Sequence, residues 1–264
     1  MIALDRCTKY FHRGSVNEVL ALNDISLTID DGDFITVIGS NGAGKSTLLN
    51  ALAGSFQLDT GSININDKDV TRWPEYKRAK LIARVFQDPL LGTCPSATIE
   101  QNMALALRRG KSRGLGRWIR AGERDRFRRD LSTIGLGLEA RMQDRVGLLS
   151  GGQRQALTML MATLVRPEVL LLDEHIAALD PKTAGQILAL TRDIVAEQDL
   201  TTLMITHNMK HAIEFGNRLI MLHQGRIILD VDGDGKRRLT VDDLLQQFYR
   251  VQGEALANDS MLLT

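Results

Sequence analysis

Cysteine is nearly absent from this chain: Cys7 and Cys94 are the two, far apart in 264 residues. A pair so separated makes no disulfide framework, and a reducing compartment fits. An excess of either charge is missing too. Lys and Arg number 33 against 32 Asp and Glu, so bulk charge gives no reason to expect a nucleic-acid partner. No apolar run approaches the roughly 18 residues of a membrane-spanning helix. The first residues, Met-Ile-Ala-Leu-Asp-Arg, lack the apolar region of a secretion signal. The expectation is a protein that reaches a membrane only through a partner. No internal repeat is visible, and the length suffices for one or two domains with a core.

What is present is organised around one stretch. Gly39, Ser40, Asn41, Gly42, Ala43, Gly44, Lys45, Ser46 and Thr47 make a full G-x-x-x-x-G-K-[ST]. The apolar run Phe34–Ile38 precedes it, and Leu48, Leu49, Leu52 and Ala53 follow at helical spacing until Gly54. This is the strand–loop–helix setting in which backbone N–H groups point at phosphate oxygens and a helix N-terminus adds partial positive charge. Lys45 can reach the β- and γ-phosphates, and the Ser46 hydroxyl can hold Mg²⁺.

Taken in order, residues 2–31 read as strands, with Ile25, Leu27 and Ile29 alternating against Ser26, Thr28 and Asp30. Gly61–Asn66 and Leu81–Phe86 are further strands. From Pro89 to Arg145 the pattern turns helical, opening on a capping box at Thr98–Gln101. Between Arg108 and Arg129 stand ten Lys/Arg against two acids, with Gly110, Gly114, Gly116 and Gly122 interspersed. That stretch predicts a solvated basic surface, open to contact with anionic lipid heads. The β/α alternation then returns. A helix with Leu157, Leu160, Met161 and Leu164 on its stripe stops before Pro167. Val169–Asp173 is a fully apolar strand ending in a carboxylate. Asp180-Pro181 opens the next helix, Leu203–Ile205 is a strand, and Arg218–Leu222 with Arg226–Val231 form a hairpin around Gln224-Gly225. Thr240–Asp243 caps a last helix, and residues beyond Gly253 are expected to be loose.

Two more stretches carry chemistry. Asp173 ends its strand where it can hold the water shell of Mg²⁺ opposite Ser46, and Glu174 can polarise an attacking water. Leu149, Ser150, Gly151, Gly152 and Gln153 open a helix as a second anion-binding end. Two glycines there weaken the first turn by up to ~1 kcal/mol each, a cost that makes sense if the backbone approaches a phosphate.

With this Leu-Ser-Gly-Gly-Gln motif the chain resembles the nucleotide-binding subunits of ABC (ATP-binding cassette) proteins, over about residues 2 to 235. The resemblance implies an α/β fold: a P-loop NTPase sheet with flanking helices, an N-terminal antiparallel β-subdomain and an inserted α-helical subdomain. It implies one ATPase domain over 1–253, with the core at about 1–88 and 146–235. The helical subdomain is expected at about 89–145 plus the start of the signature helix, and a terminal helix and tail at 236–264. Phe11 is similar to the aromatic that stacks on adenine, with the adjacent Tyr10 as the other choice. Gln87 is similar to the Q-loop glutamine that senses Mg²⁺ and water. Asp180 is similar to the D-loop aspartate that contacts a partner subunit, and His207 to the switch histidine at the γ-phosphate.

The implied cofactors are ATP and Mg²⁺, the latter near Ser46, Gln87 and Asp173. The implied catalytic groups are Glu174 as general base, His207, Gln87 and Lys45. The implied assembly is a dimer in which ATP lies between the P-loop of one copy and residues 149–153 of the other. Further implied partners are integral-membrane permease subunits and an extracytoplasmic solute-binding protein, with the chain peripheral on the cytoplasmic face of the inner membrane. Residues 17–22, 86–96 and 173–180 resemble an importer clade of amino-acid type, with aromatic amino acids as the expected cargo. The alternatives are an exporter or lipoprotein-release ATPase, or a non-transport ABC ATPase.

Three features depart from this pattern or imitate others. His175-Ile176 stands where many family members have Pro-Thr or Pro-Ser, and the expectation for His175 is packing. Asp230, Asp232, Asp234 and Gly235 match the first half of a calcium loop, but its twelfth position is Val241. His207 and His211 stand four apart with no third zinc ligand in sight.

Overall fold

The computed structural model describes residues 1–111, 119 and 122–261. Arg113, Gly114, Gly116, Arg117 and Arg120 of the basic stretch, and the last three residues of the tail, lie outside the described residues. The chain begins with β1 (Ile2–Phe11), β2 (Val19–Ile29), β3 (Phe34–Gly39) and α1 (Lys45–Ala53). β4 (Thr60–Ile65), β5 (Lys68–Asp69), α2 (Glu75–Arg78), β6 (Ile82–Val85), α3 (Ile99–Leu107) and α4 (Glu123–Ser132) follow. Next come α5 (Gly151–Thr163), β7 (Val169–Asp173), α6 (Pro181–Gln198) and β8 (Thr202–Ile205). α7 (Met209–Glu214), β9 (Arg218–His223), β10 (Arg226–Asp232), α8 (Gly233–Arg238) and α9 (Val241–Met261) complete the order. Two compact units divide the chain: 1–52 with 56–71 and 204–264, and 53–55 with 72–203.

In the first unit β1 lies between β2 and β4, antiparallel to both. The alternation read in β2 holds: Ile25, Leu27 and Ile29 are buried and Ser26 and Thr28 are exposed. β9 pairs parallel with β3 and antiparallel with β10. β3 is covered on both faces: Ile35, Thr36 and Val37 are all fully buried, Thr36 as a hydrogen-bonded polar residue. The turn between β9 and β10 has φ of 43° at Gln224 and 74° at Gly225, as a type I′ hairpin requires.

Lys236 of α8 was not foreseen as a core residue. It is buried, and its ammonium donates to the carbonyls of Phe215, Gly216 and Arg218 and to the Thr36 hydroxyl. Desolvation pulls its pKa down to about 8. The predicted cap of the last helix is present, with Asp243 accepting from the Thr240 N–H at 2.8 Å. That helix continues through Gly253 to Met261 instead of loosening there. One interior glycine costs about 1 kcal/mol, which weakens a helix without ending it.

In the second unit β6 and β7 are parallel, in register from Ile82 opposite Val169 to Val85 opposite Leu172. Helices α3, α4 and α5 share a core that includes Ile99, Met103, Phe127, Leu131 and Leu157. The capping box at Thr98–Gln101 is formed on both sides. Lys111, Arg124, Arg126, Arg128 and Arg129 of the basic stretch are exposed, as expected of a solvated surface, while Arg108 and Arg109 are half-buried. Arg108 donates to the Ala104 carbonyl at 2.9 Å and pairs with Glu123. Arg124 holds the buried Glu100 at 3.0 and 3.2 Å. Arg109 donates to the carbonyls of Ala162 and Val165, and Arg126 to that of Leu164 at 3.1 Å. These carbonyls end α5, where helical partners run out and the dipole favours cations. The arginines thus serve helix ends and buried acids, which a count of charges does not reveal.

The aspartates that imitate the first half of a calcium loop fall in two different elements. Asp230 and Asp232 lie in β10 and Asp234 in α8. Asp230 is held by Arg218 at 2.7 and 2.6 Å, and Asp234 by Arg237 at 3.1 Å. Among the described residues no group of three or more His, Cys, Asp or Glu side chains could hold a metal ion, and no helix is long and apolar enough to cross a membrane.

Candidate functional site

The first unit holds the P-loop, Phe11 and His207; the second holds Gln87, residues 149–153, Asp173, Glu174 and Asp180.

In the first unit β3 delivers the chain into the loop and α1 carries it away. Lys45, 5% exposed, donates to the carbonyls of Gly39 and Ser40 at 2.8 and 2.9 Å, so its ammonium is held across the loop. Asn41, Gly42 and Ser46 are exposed. The hairpin turn braces this loop: the Gly225 N–H donates to the Ala43 carbonyl at 3.0 Å, and the Gly225 carbonyl accepts from Asn23 at 2.9 Å. Nothing local in the sequence announces that contact, because it joins residues 182 positions apart.

Thr206 donates its N–H to Val37 at 3.2 Å, so the residue before His207 is tied to the strand that enters the loop. His207 itself is exposed. Asn208, not a histidine, then caps α7 by accepting from the His211 N–H at 3.2 Å. Phe11 meets Phe56 edge-on at 5.4 Å with the Lys9 ammonium 5.7 Å from its ring, while Arg13 lies 4.9 Å from the ring of Tyr10. Both aromatics are half-buried, and both keep a face partnered by a cation.

In the second unit Ser150 is the N-cap of α5 and makes a complete capping box with Gln153, both bonds at 3.2 Å. Two of the three side chains that the signature carries are therefore engaged in starting the helix. Arg154 reaches back to the carbonyls of Gly147 and Leu149 at 3.3 and 2.9 Å, tying down the turn ahead of the cap. Gln155, 1% exposed, donates to the Phe86 carbonyl at 3.4 Å, joining α5 to the residue before Gln87. Gln87 is exposed.

The two signature glycines differ. A Cβ on Gly152 would sit 2.2 Å from the Thr183 methyl of α6, whereas one on Gly151 meets only Leu179 at 3.6 Å. Close packing of α5 on α6 thus accounts for Gly152, whereas Gly151 has room for a side chain. Gly152→Ala is expected to destabilise the fold by about 1–3 kcal/mol through overpacking, whereas Gly151→Ala is expected to be neutral or to stabilise it by up to about 1 kcal/mol, since a Cβ has room there and alanine is the better helix former. Urea unfolding of the two variants checks this; equal losses would refute it.

Asp180 caps α6 by accepting the Thr183 N–H at 3.1 Å. Hydrogen bonding to Thr183 holds its carboxyl below the usual range. Asp173 ends β7, and Arg84 of β6 donates to its Oδ2 at 2.6 Å. Glu174 follows with φ 46°, in the left-handed region that non-glycine residues rarely enter at a cost of order 1 kcal/mol or more. The Ala177 N–H donates to its carbonyl at 2.9 Å, closing the turn that holds it there.

His175 is buried, as its expected packing role requires, and its Nε2 lies 3.1 Å from the Thr191 hydroxyl. That hydroxyl donates to the Ile187 carbonyl at 2.8 Å, so it accepts from Nε2–H, and Nδ1 is the unprotonated nitrogen. Burial lowers the His175 pKa from 6.5 to about 4. Between those values the unfolded chain binds more protons than the folded one. The stability is therefore fully present above pH 6.5 and is lost as pH falls toward 4. The His175 contribution to this loss is about 2 kcal/mol between pH 7 and pH 5. Urea unfolding at both pH values should show that slope in the native protein and its absence in His175→Asn; parallel slopes would refute it.

A phosphate-type loop with a buried lysine, a capped Leu-Ser-Gly-Gly-Gln helix and a strand ending in Asp-Glu define a nucleotide hydrolase of the cassette type. The ABC transporter family pattern matches residues 22–177, and the chain belongs to that family. The chain is thus an ABC-type ATPase. It is 45% identical over 248 residues to the tyrosine transport ATP-binding protein of Clostridioides difficile, covering 94% of this chain and 98% of that protein. It is 36% identical over 211 residues to a sulfate/thiosulfate import ATP-binding protein of Mycobacterium bovis, spanning 80% of this chain and 56% of that longer relative. The dimeric, post-hydrolysis structure of the ATP-binding cassette MJ0796 bound to ADP and Pi matches with a TM-score of 0.74 at 28% identity, over 88% of this chain and 98% of that one.

Proposed function

We propose that this chain powers solute import, as the ATPase subunit of a transporter whose membrane-spanning permease is a separate protein. In this reading it works as a dimer that closes on ATP and opens after hydrolysis. The similarity to a tyrosine transport ATP-binding protein over nearly the full length of both chains carries this reading. It supports an amino acid with an aromatic side chain as cargo, delivered by an extracytoplasmic solute-binding protein. The place in the cell is the cytoplasmic face of the inner membrane, held there by the permease. One cassette accounts for residues 1–253, with the helical subdomain at about 89–145 plus the start of the signature helix; the core that α3 and α4 share with α5 supports joining that helix to the subdomain.

The chain's residues divide the work. Backbone N–H groups of 39–47 and the start of α1 bind the phosphates, and Lys45 exchanges its loop carbonyls for phosphate oxygens. Phe11 or Tyr10 stacks on the adenine. Residues 149–153 and Asp180 of one copy complete the site of the other, with Gly151 giving the close backbone approach. Glu174 accepts a proton from the attacking water, and Gln87 and His207 orient that water and the γ-phosphate. Ser46, Asp173 and Gln87 offer the hard oxygen donors that Mg²⁺ takes, and Asp173 already holds a cation in the Arg84 guanidinium. When bound, the metal neutralises charge on the phosphates. Loss of the γ-phosphate removes the group that both helix ends grip, so closure is coupled to a bond that hydrolysis breaks.

The test is recovery of Glu174→Gln with ATP from detergent-solubilised membranes. Co-purification of a multi-spanning permease and a solute-binding protein that binds tyrosine supports the reading. A permease with a large periplasmic domain would replace import with release, and recovery of soluble proteins alone would overturn the transport role.

A further inference from the structure

We infer that Arg84 is a positioning residue that acts as a resident counter-cation on Asp173 and raises the Mg²⁺ concentration the nucleotide site requires. The inference rests on the reading of Asp173 as the carboxylate that holds the nucleotide's Mg²⁺.

Arg84 stands in β6 within the apolar sequence Leu-Ile-Ala-Arg-Val-Phe. A charge in a covered strand needs a partner there. The register sets Arg84 opposite Leu171 of β7, two residues before Asp173, so its long side chain runs along the sheet to the strand's carboxyl end. Its Nη2 donates to Asp173 Oδ2 at 2.6 Å, and both side chains are only 13% exposed. The guanidinium carbon lies 4.7 Å from the centre of the Phe86 ring, two residues on along the same face. The cation is therefore held between an aromatic ring and a carboxylate, at low exposure, where screening by water and salt is weak. A fixed positive charge on one oxygen of Asp173 lowers that carboxylate's attraction for a divalent cation and repels the cation itself. Fixing Asp173 through a hydrogen bond alone would have the opposite sign, since an oriented ligand binds metal better than a loose one.

The experiment titrates MgCl₂ into the full chain with a slowly hydrolysed fluorescent ATP analogue and reads the Mg²⁺ concentration at half-maximal binding. Arg84→Met and Arg84→Gln both remove the charge; Gln keeps a hydrogen-bond donor for Asp173 and is the milder change should Met impair folding. Both variants are expected to lower the Mg²⁺ midpoint about tenfold, with binding in EDTA unchanged and Arg84→Lys close to the native midpoint. A midpoint that is unmoved or raised in Arg84→Gln would overturn the inference. A shift in Arg84→Met that is absent from Arg84→Gln would do so too, since it would assign the effect to the hydrogen bond. Asp173→Asn should raise the midpoint. If it does not, the metal role of Asp173 fails, and that outcome is distinct from failure of the Arg84 variants alone.

Discussion

Glu174→Gln should lower ATP turnover by about 10²- to 10⁴-fold, the range for losing a general base, while leaving ATP affinity within a few-fold. The carboxamide matches the carboxylate in size, so the turn closed by Ala177 and the φ of 46° at this residue need not change. What changes is proton affinity, since an amide cannot take the proton from water at neutral pH. The strained backbone is consistent with a side chain aimed by the turn and not by its own preference. Phosphate release and nucleotide binding, measured on the same preparation, separate the two effects. A variant that hydrolyses within tenfold of the native rate would remove Glu174 from the proton-transfer step.

The second large effect is on stability. Gly39→Ala should cost more than about 3 kcal/mol, above the usual span of single substitutions. Gly39 is the last residue of β3 and pairs with Leu222 of β9. A Cβ there would lie 2.2 Å from the Leu222 carbonyl oxygen, and φ is 149°, which L side chains rarely adopt. Backbone cannot rotate aside as a side chain can, so β3 and β9 would have to part. Gly42 is the internal control. Its φ is 78°, but no atom lies within 4 Å of an added Cβ, so Gly42→Ala should cost about 1 kcal/mol. Denaturant midpoints decide this, and similar losses at both positions would show that the loop's strain and not its packing is what matters.

The P-loop, the Leu-Ser-Gly-Gly-Gln motif, the Asp-Glu strand end and the two capping boxes were all legible because their physics is local. A cap needs an acceptor three residues from an N–H, and a phosphate loop needs glycines ahead of a helix; both requirements are written as spacing. The alternating and fully apolar strands were legible for the same reason, because burial on one face or two sets the period. The role of Gly152 was only half legible. Its presence was visible, but the reason, the Thr183 methyl, comes from a helix thirty residues on.

By itself, then, the sequence determined the family's nucleotide motifs and the order of the main strands and longer helices, but not β5, α2, α4 or α8. Only the tertiary structure decided who stands opposite whom. It placed Arg84 on Asp173, the Gly225 turn against Ala43, His175 on Thr191 and Lys236 among the carbonyls around β9. It also laid Arg109 and Arg126 on the carboxyl end of α5 and Arg124 on the buried Glu100. These pairings depend on strand register and helix packing between distant segments, and a buried charge or ring must take whichever partner that packing brings within about 3 Å. Composition records that such a group exists; the fold chooses its partner.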